Sequence, residues 1–396
     1  MRLFDPSYTV ADIFRSHFDK YLQQFGPVPK HYYTVVNAMM RCRTEALGGH
    51  IYTCDSCSHE ITLYNSCGNR HCTVCQALTR AKWVEKRTQE ALPIQYYHVV
   101  FTLPHQLNPI VLRNRKIMYK ILFKAVEKTL LALGKDPKYL GGELGFILVL
   151  HTWGQNLMDH PHIHCIIPAG ALDSKNNTWR SAPKNFLFPV AVMSKLFRGK
   201  FMDSFRKAVR DGKINPLQVA TPQFPCCNDL VNKLFKITWV TNVKEPFESP
   251  TNLIKYLARY THRIAISNHR IITVQNDQVT FSYKDYADND KIKQMTLSAV
   301  EFIRRFMMHV LPDGFMRMRH YGFLGNKAKK KKLPLIRTLI EQSGSTDSTR
   351  SIENEEKNPN PVEDPWLCPL CKKGALRKDR EVKPAIKEAR TLVVND

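Results

Sequence analysis

The chain has 396 residues, 43% of them hydrophobic, with a formal net charge of +24 and a sequence pI near 9.6. That length allows two or three domains and a substantial core, which excludes a mini-protein, and so large a cationic excess points to a polyanion or an anionic membrane surface. No run approaches the roughly 18 apolar residues of a spanning helix, and the start, Met1 to Pro6, lacks the apolar stretch of a signal peptide, so no membrane is expected and nucleic acid in a cytoplasm is the default partner. Eleven cysteines in such a chain read as metal ligands or buried thiols rather than disulfides.

Residues 1 to 48 are expected to be helical and to dock the module that follows, because Ile13, Phe14, Phe18, Tyr21, Leu22 and Phe25 recur at helical spacing. From Gly48 to Gln76 the sequence carries Cys54-Asp-Ser-Cys57 and Cys72-Thr-Val-Cys75. Two such hooks with 14 residues between them match a tetrahedral zinc ribbon, whose thiolates supply folding energy that so short a segment cannot draw from a core. Cys54, Cys57, Cys72 and Cys75 are therefore the expected ligands of one structural Zn²⁺. Cys67 could replace one hook member or lie beside the site as a buried thiol, and His71 adjoins Cys72. A closed four-thiolate site is structural, and its expected role is to present Arg70, Arg80 and Lys82 to DNA.

Tyr96 to Pro104 reads as a strand ended by proline, and an amphipathic helix is expected from Pro109 to Leu133. Phe146 to His151 is an apolar run of strand length. In the next strand, Asp159 to Pro168, a period of two puts His162, His164 and Ile166 on one face. A hairpin register that sets His151 opposite His162 brings facing Cβ atoms within roughly 5 Å, so three imidazoles converge on one ion. His160, before Pro161, is assigned to the connecting turn, and Gln155 is the alternative third ligand in a different register. Strand, helix, strand, strand begins an antiparallel α+β sheet, since the strands lie too close for parallel crossovers.

Residues 172 to 240 carry no interpretable motif, and the adjacent Cys226 and Cys227 are read as buried or surface thiols. Residues 252 to 263 contain no helix breaker. Tyr256 and Tyr260, four apart, share a helix face flanked by Lys255, Arg259, His262 and Arg263, which suits a phosphate track. Strands are expected at 270–274 and 278–283. The stretch from Met316 to Tyr321, with Arg319 as a DNA contact, and the run Lys327 to Lys332 extend the basic surface. Residues 341 to 365 are acidic and rich in Ser, Asn and Pro, the signature of a disordered linker. Cys368-Pro-Leu-Cys371 beyond it is half a zinc site without a second pair to complete it. The expected divisions are 1–90 for the helices and zinc module, 91–335 for a catalytic domain, 336–366 for the linker and 367–396 for the cysteine tail.

In this order, Tyr64-Asn-Ser-Cys67 through Cys75-Gln76, His98-Val-Val-Phe-Thr-Leu-Pro104, His151-Thr-Trp-Gly154, His160-Pro-His-Ile-His164-Cys165 and Tyr256-Leu-Ala-Arg-Tyr260 resemble the HUH-class rolling-circle transposases, specifically the bacterial insertion sequence family ninety-one. The resemblance covers about Cys42 to Leu324. It implies an N-terminal zinc-binding domain, then a central antiparallel sheet with the His-hydrophobic-His strand in its middle and the tyrosine helix beside it. It implies His162 and His164 as ligands of Mg²⁺ or Mn²⁺, with His151 as third, Tyr256 and Tyr260 as nucleophiles, and single-stranded DNA at element ends and target DNA as partners of a cytoplasmic, nucleoid-associated bacterial protein.

The chemistry is consistent with that resemblance. A tyrosine hydroxyl, of pKa about 10, is a weak nucleophile toward a phosphodiester and needs help, and a divalent ion held by imidazoles provides it. A replication initiator or relaxase would use the same chemistry, but the zinc module and the absence of a helicase-type P-loop argue for the transposase. A non-catalytic zinc-containing DNA-binding protein accounts for the charge and cysteines, not for the paired histidines or the tyrosines.

Overall fold

The computed structural model describes residues 8–215, 219, 226–244, 247, 252–255, 258, 264–286, 288–343 and 366–385. The chain is an α+β protein. Helix α1 (Val10–Phe25) opens on a capping box, the Thr9 hydroxyl accepting from the Asp12 amide at 3.2 Å and the Asp12 carboxylate from the Thr9 amide at 3.0 Å. Its apolar stripe includes Val10, Ile13, Phe14 and Phe18. Helix α2 (Lys30–Arg41), strands β1 (Gly49–Cys54) and β2 (Glu60–Tyr64) and helix α3 (Gln76–Glu90) follow. The two N-terminal helices do more than dock the cysteine module. Phe14 packs edge-on against Phe306 at 5.4 Å, in a cluster that also holds Cys42, Cys72 and buried residues of the sheet formed by residues 271–298.

Next come β3 (Tyr96–Thr102), α4 (Asn108–Arg113) and α5 (Arg115–Lys135). The single helix expected over this stretch is broken at Asn114, whose φ of −126° and ψ of 36° leave the helical region. Hairpin β4 (Gly145–Trp153) and β5 (Asp159–Pro168), hairpin β6 (Gly170–Asp173) and β7 (Thr178–Ser181), helices α6 (Val190–Arg210) and α7 (Cys227–Lys236), and β8 (Thr241–Val243) lead to β9 (Ile271–Gln275), β10 (Gln278–Asp285) and β11 (Lys291–Ser298). The β9–β10 turn places Asn276 and Asp277 at φ of 50° and 58°, the left-handed pair that a tight hairpin takes and that Asn and Asp tolerate. Helix α8 (Ala299–Met307), β12 (Met318–Gly322), helix α9 (Lys329–Gln342) and β13 (Leu376–Val382) complete the order. Helix α9 continues past residue 336, where the linker was expected to begin, because Ile336, Leu339 and Ile340 bury an apolar stripe. Residues 344–365 of the expected linker lie outside the described residues.

The central sheet runs β12-β4-β5-β3-β8, with every pairing antiparallel. One face, with Phe146, Leu148, Leu150, Ile163, Cys165 and Ile167, packs on α5 and α6 in the largest core. The other face presents Ile147, Val149 and Ile166, which share a second core with Leu253 and with Leu333, Ile336 and Ile340 of α9. The strand period of two puts His98, His151, His162 and His164 on that second face. A separate sheet, β13-β1-β2, joins the end of the chain to its beginning.

Candidate metal centres and nucleic-acid interface

In the β4–β5 hairpin His151 stands opposite His162, the register expected from the sequence. His151, His162 and His164 each offer one ring nitrogen, all within 4.8 Å of one another. His160 belongs to β5 rather than to the turn, and its carbonyl fixes a proton. A carbonyl only accepts, so the His162 Nδ1–H donates to it at 2.6 Å, leaving the His162 Nε2 lone pair aimed at Nε2 of His164, 3.1 Å away. On its far side His164 Nδ1 lies 2.7 Å from His98 Nε2 on β3. If His164 gives its Nε2 lone pair to a cation, its proton sits on Nδ1 and is donated to His98, the orienting contact that ligating histidines use.

Burial holds His98, His162 and His164 toward the neutral form, which can ligate or accept. Desolvation, then the neighbouring His160, pushes His162 down to about 3. The same burial, then His151, drives His164 well below the ordinary imidazole range, and burial followed by Lys244 takes His98 to about 3. Sequence reasoning assigned His98 no role. Its parity along β3 was the available signal, since it puts the ring on the face of the histidine pair.

The turn that carries this hairpin is held through three successive carbonyls. Arg270 donates to Gln155 O at 2.6 Å, Arg305 to Asn156 O at 3.0 Å and His309 Nε2–H to Leu157 O at 3.0 Å. The Gln155 side chain donates instead to the Tyr286 hydroxyl at 3.3 Å, so His151 is the residue the fold brings to the pair. Tyr256, Arg259, Tyr260 and Arg263 lie outside the described residues. Residues 252–255 are helical, and Leu253 is buried with Val149 and Ile166 on the histidine face.

The cysteines do not form the single site expected of Cys54, Cys57, Cys72 and Cys75. Cys72 and Cys75 gather with Cys42 and Cys67, while Cys54 and Cys57 gather with Cys368 and Cys371; each set has its four sulfurs within 4.8 Å of one another. The β1–β2 hairpin explains the split. Cys42 and Cys67 flank its base, where Gly49 pairs with Tyr64, and Cys54 and Cys57 sit at its tip, beyond Thr53 and Glu60. Five residue steps of strand put roughly 17 Å between the two ends. His71 is not needed as a ligand. Its Nε2 accepts the Leu311 amide N–H at 3.2 Å and its Nδ1 lies 3.0 Å from the Asn69 side chain. Arg70, expected to face DNA, instead donates to the carbonyls of Pro312 and Phe315 and ties the module to the central domain.

The first cluster is built to hold a metal. Cys67 and Cys75 Sγ are 3.7 Å apart, against the edge of about 3.8 Å expected for a tetrahedron with zinc–sulfur bonds of about 2.3 Å. The amides of Asn69 and Val74 point at Cys67 and Cys72 Sγ, each at 3.4 Å, as suits thiolate acceptors.

Residues 13–103 match the family model described as "Transposase zinc-binding domain", and residues 145–332 match the one described as "Putative transposase". The chain is 41% identical over 378 residues to the "Putative transposase y4qJ" of Sinorhizobium fredii, covering 93% of this chain and 94% of that protein. The chain belongs to the insertion sequence family ninety-one transposases. It is also 26% identical over 344 residues to the transposase for insertion sequence element IS801 of Pseudomonas savastanoi pv. phaseolicola, covering 85% of this chain and 80% of that one. No solved structure matches.

A cavity of about 820 Å³ lies where the zinc-binding domain meets the central domain. It is lined by Trp83, Lys86, Lys116, Lys120, Phe315, Met316, Arg319 and Lys329, among others. Arg319 is seated there by stacking, its guanidinium 4.0 Å from the Phe123 ring centroid and 5.3 Å from that of Phe315. No described helix is long and apolar enough to cross a membrane.

Proposed function

We propose that this transposase nicks single-stranded DNA at element ends by tyrosine transesterification, with Tyr260 as the nucleophile of the first cut and Tyr256 as the second acceptor. The observation that carries the reading is the convergence of three imidazoles on one sheet face, the face on which Leu253, three residues before Tyr256, is buried. The phenolic oxygen attacks phosphorus, the bond from phosphorus to the 3′ oxygen breaks, and the phenolic proton ends on that oxygen. A 5′-phosphotyrosine and a free 3′-OH result, and the bond energy kept in the ester makes strand transfer independent of ATP. Mg²⁺ or Mn²⁺ bound by His151, His162 and His164 would polarise and align the scissile phosphate, Mn²⁺ being favoured by imidazole softness and Mg²⁺ by abundance.

His162 Nε2 and His164 Nε2 face each other at 3.1 Å, and His98 Nε2 lies 2.7 Å from the other ring nitrogen of His164, where it would keep that ring turned. Cys42, Cys67, Cys72 and Cys75 hold a structural Zn²⁺, and the cationic cavity with Arg319 grips the DNA backbone, Trp83 and Phe315 offering faces for bases. Tyr260→Phe removes only a hydroxyl and is expected to abolish the covalent protein–DNA adduct on denaturing gels, with DNA affinity unchanged. His162→Ala with His164→Ala is expected to do the same. Adduct at wild-type yield from Tyr256→Phe, Tyr260→Phe and the double variant alike would remove both tyrosines from the chemistry.

A further inference from the structure

We infer that Cys54, Cys57, Cys368 and Cys371 hold a second Zn²⁺ ion, which clasps the C-terminal strand onto the zinc-binding module. The donors come in two hooks separated by 311 residues between Cys57 and Cys368. Cys54 to Cys371 and Cys57 to Cys368 are each 3.7 Å between sulfurs, the same tetrahedral edge as in the first cluster. Backbone amides again aim at sulfur, Ser56 N–H at Cys54 and Gly374 N–H at Cys371, both at 3.4 Å.

The surroundings are shaped for the tail in ways a chance meeting of thiols would not be. β13 pairs with β1 from Leu376 opposite Cys54 to Val382 opposite Gly49. Two glycines make the approach possible: a Cβ on Gly374 would stand 2.6 Å from Cys54 Sγ, and one on Gly48 would stand 2.5 Å from the Val382 carbonyl. Trp366 stacks on Tyr52 with centroids 5.1 Å apart, and the Asp55 and Ala375 backbones are tied by the Asp55 N–H donating to Ala375 O at 3.1 Å. β1 and β2 bury little of themselves, with only Gly49 and Cys54 buried. A three-stranded sheet this exposed draws little stability from apolar packing, which is where a metal staple contributes most.

The closed shell of four thiolates fits a structural ion, with no position left for substrate. The site lies outside the residues matched by the zinc-binding family model at its Cys368 and Cys371 half, and it does not depend on the nicking chemistry.

Elemental analysis of the full-length chain tests the clasp. Wild type is expected to carry two equivalents of zinc, and both Cys368→Ser/Cys371→Ser and Cys54→Ser/Cys57→Ser are expected to carry one. A Cys368→Ser/Cys371→Ser protein that keeps as much zinc as the wild type overturns the proposal. Should either variant be insoluble, alkylation of the wild-type chain followed by peptide mapping decides. Cys54, Cys57, Cys368 and Cys371 are then expected to be protected together and exposed together when a chelator is added. Reactivity of Cys368 and Cys371 that a chelator does not change overturns it, and the state of Cys42, Cys67, Cys72 and Cys75 in the same maps shows separately whether the first ion is bound.

Discussion

The two cysteine clusters have the same donor set and nearly the same sulfur spacing, yet they are assembled in opposite ways. In the first, Cys67 and Cys75 are eight residues apart, and Cys42 and Cys72 are buried in the core shared by α1, α2 and α8. In the second, the partners are 311 residues apart, and the site lies at the exposed tip of a hairpin. Loop closure makes the difference physical: the near site's longest gap, Cys42 to Cys67, is 25 positions, and closing the 311-position gap of the far site costs about 2 kcal/mol more. The near cluster can form as its module folds, whereas the far one needs β13 paired with β1 to bring its two hooks together. One site supports a fold and the other depends on it.

Removing ligands from the near cluster should have the largest effect. Cys72→Ser with Cys75→Ser leaves Cys42 and Cys67 without an ion, at a cost on the order of 10 kcal/mol, as in zinc modules that fold only with metal. The expected outcome is loss of the cooperative melt of α1, α2 and the module, followed by near-ultraviolet circular dichroism. A wild-type melting curve would break the contrast between the two sites.

Gly374→Ala presses a methyl group toward Cys54 Sγ and should weaken the far cluster alone, by about 1–3 kcal/mol as overpacking does. Stopped release of zinc to a chelator is expected to show one of two phases accelerated, the other unchanged. Acceleration of both would mean that the sites are coupled.

Arg377→Ala should do least. The ion pair from Arg377 to Asp55, 3.2 Å long, is exposed at both partners, and solvent screens such pairs heavily. The rate at which a protease cuts the tail is expected to stay at the wild-type value, whereas a marked rise would shift the weight of docking from the thiolates to surface charge.

Much of the histidine site was legible before folding, because its information is local. A period of two along β5 put His162 and His164 on one face, and one hairpin register joined His151 to them. The N-terminal helix, the strands β3, β4, β5, β9 and β10 and the family resemblance rest on similarly short-range patterns. β11 and the break at Asn114 were not foreseen. Neither was the role of Arg270, Arg305 and His309 in holding the turn, since those side chains reach it from 115 to 152 residues away in the chain.

By itself the sequence determined that the thiols and imidazoles are present, and it determined their spacing within each hook and each strand. Which hook meets which was decided by tertiary structure. All C-x-x-C pairs are chemically alike, and nothing within a few residues of Cys54 distinguishes Cys72 from Cys371 as its partner. The choice is made by the length of the β1–β2 hairpin, which holds its tip away from its base, and by β13, whose backbone hydrogen bonds along β1 bring Cys368 and Cys371 to that tip. His98 was settled in the same way, its ring meeting His164 only because β3 and β5 are neighbours in the sheet.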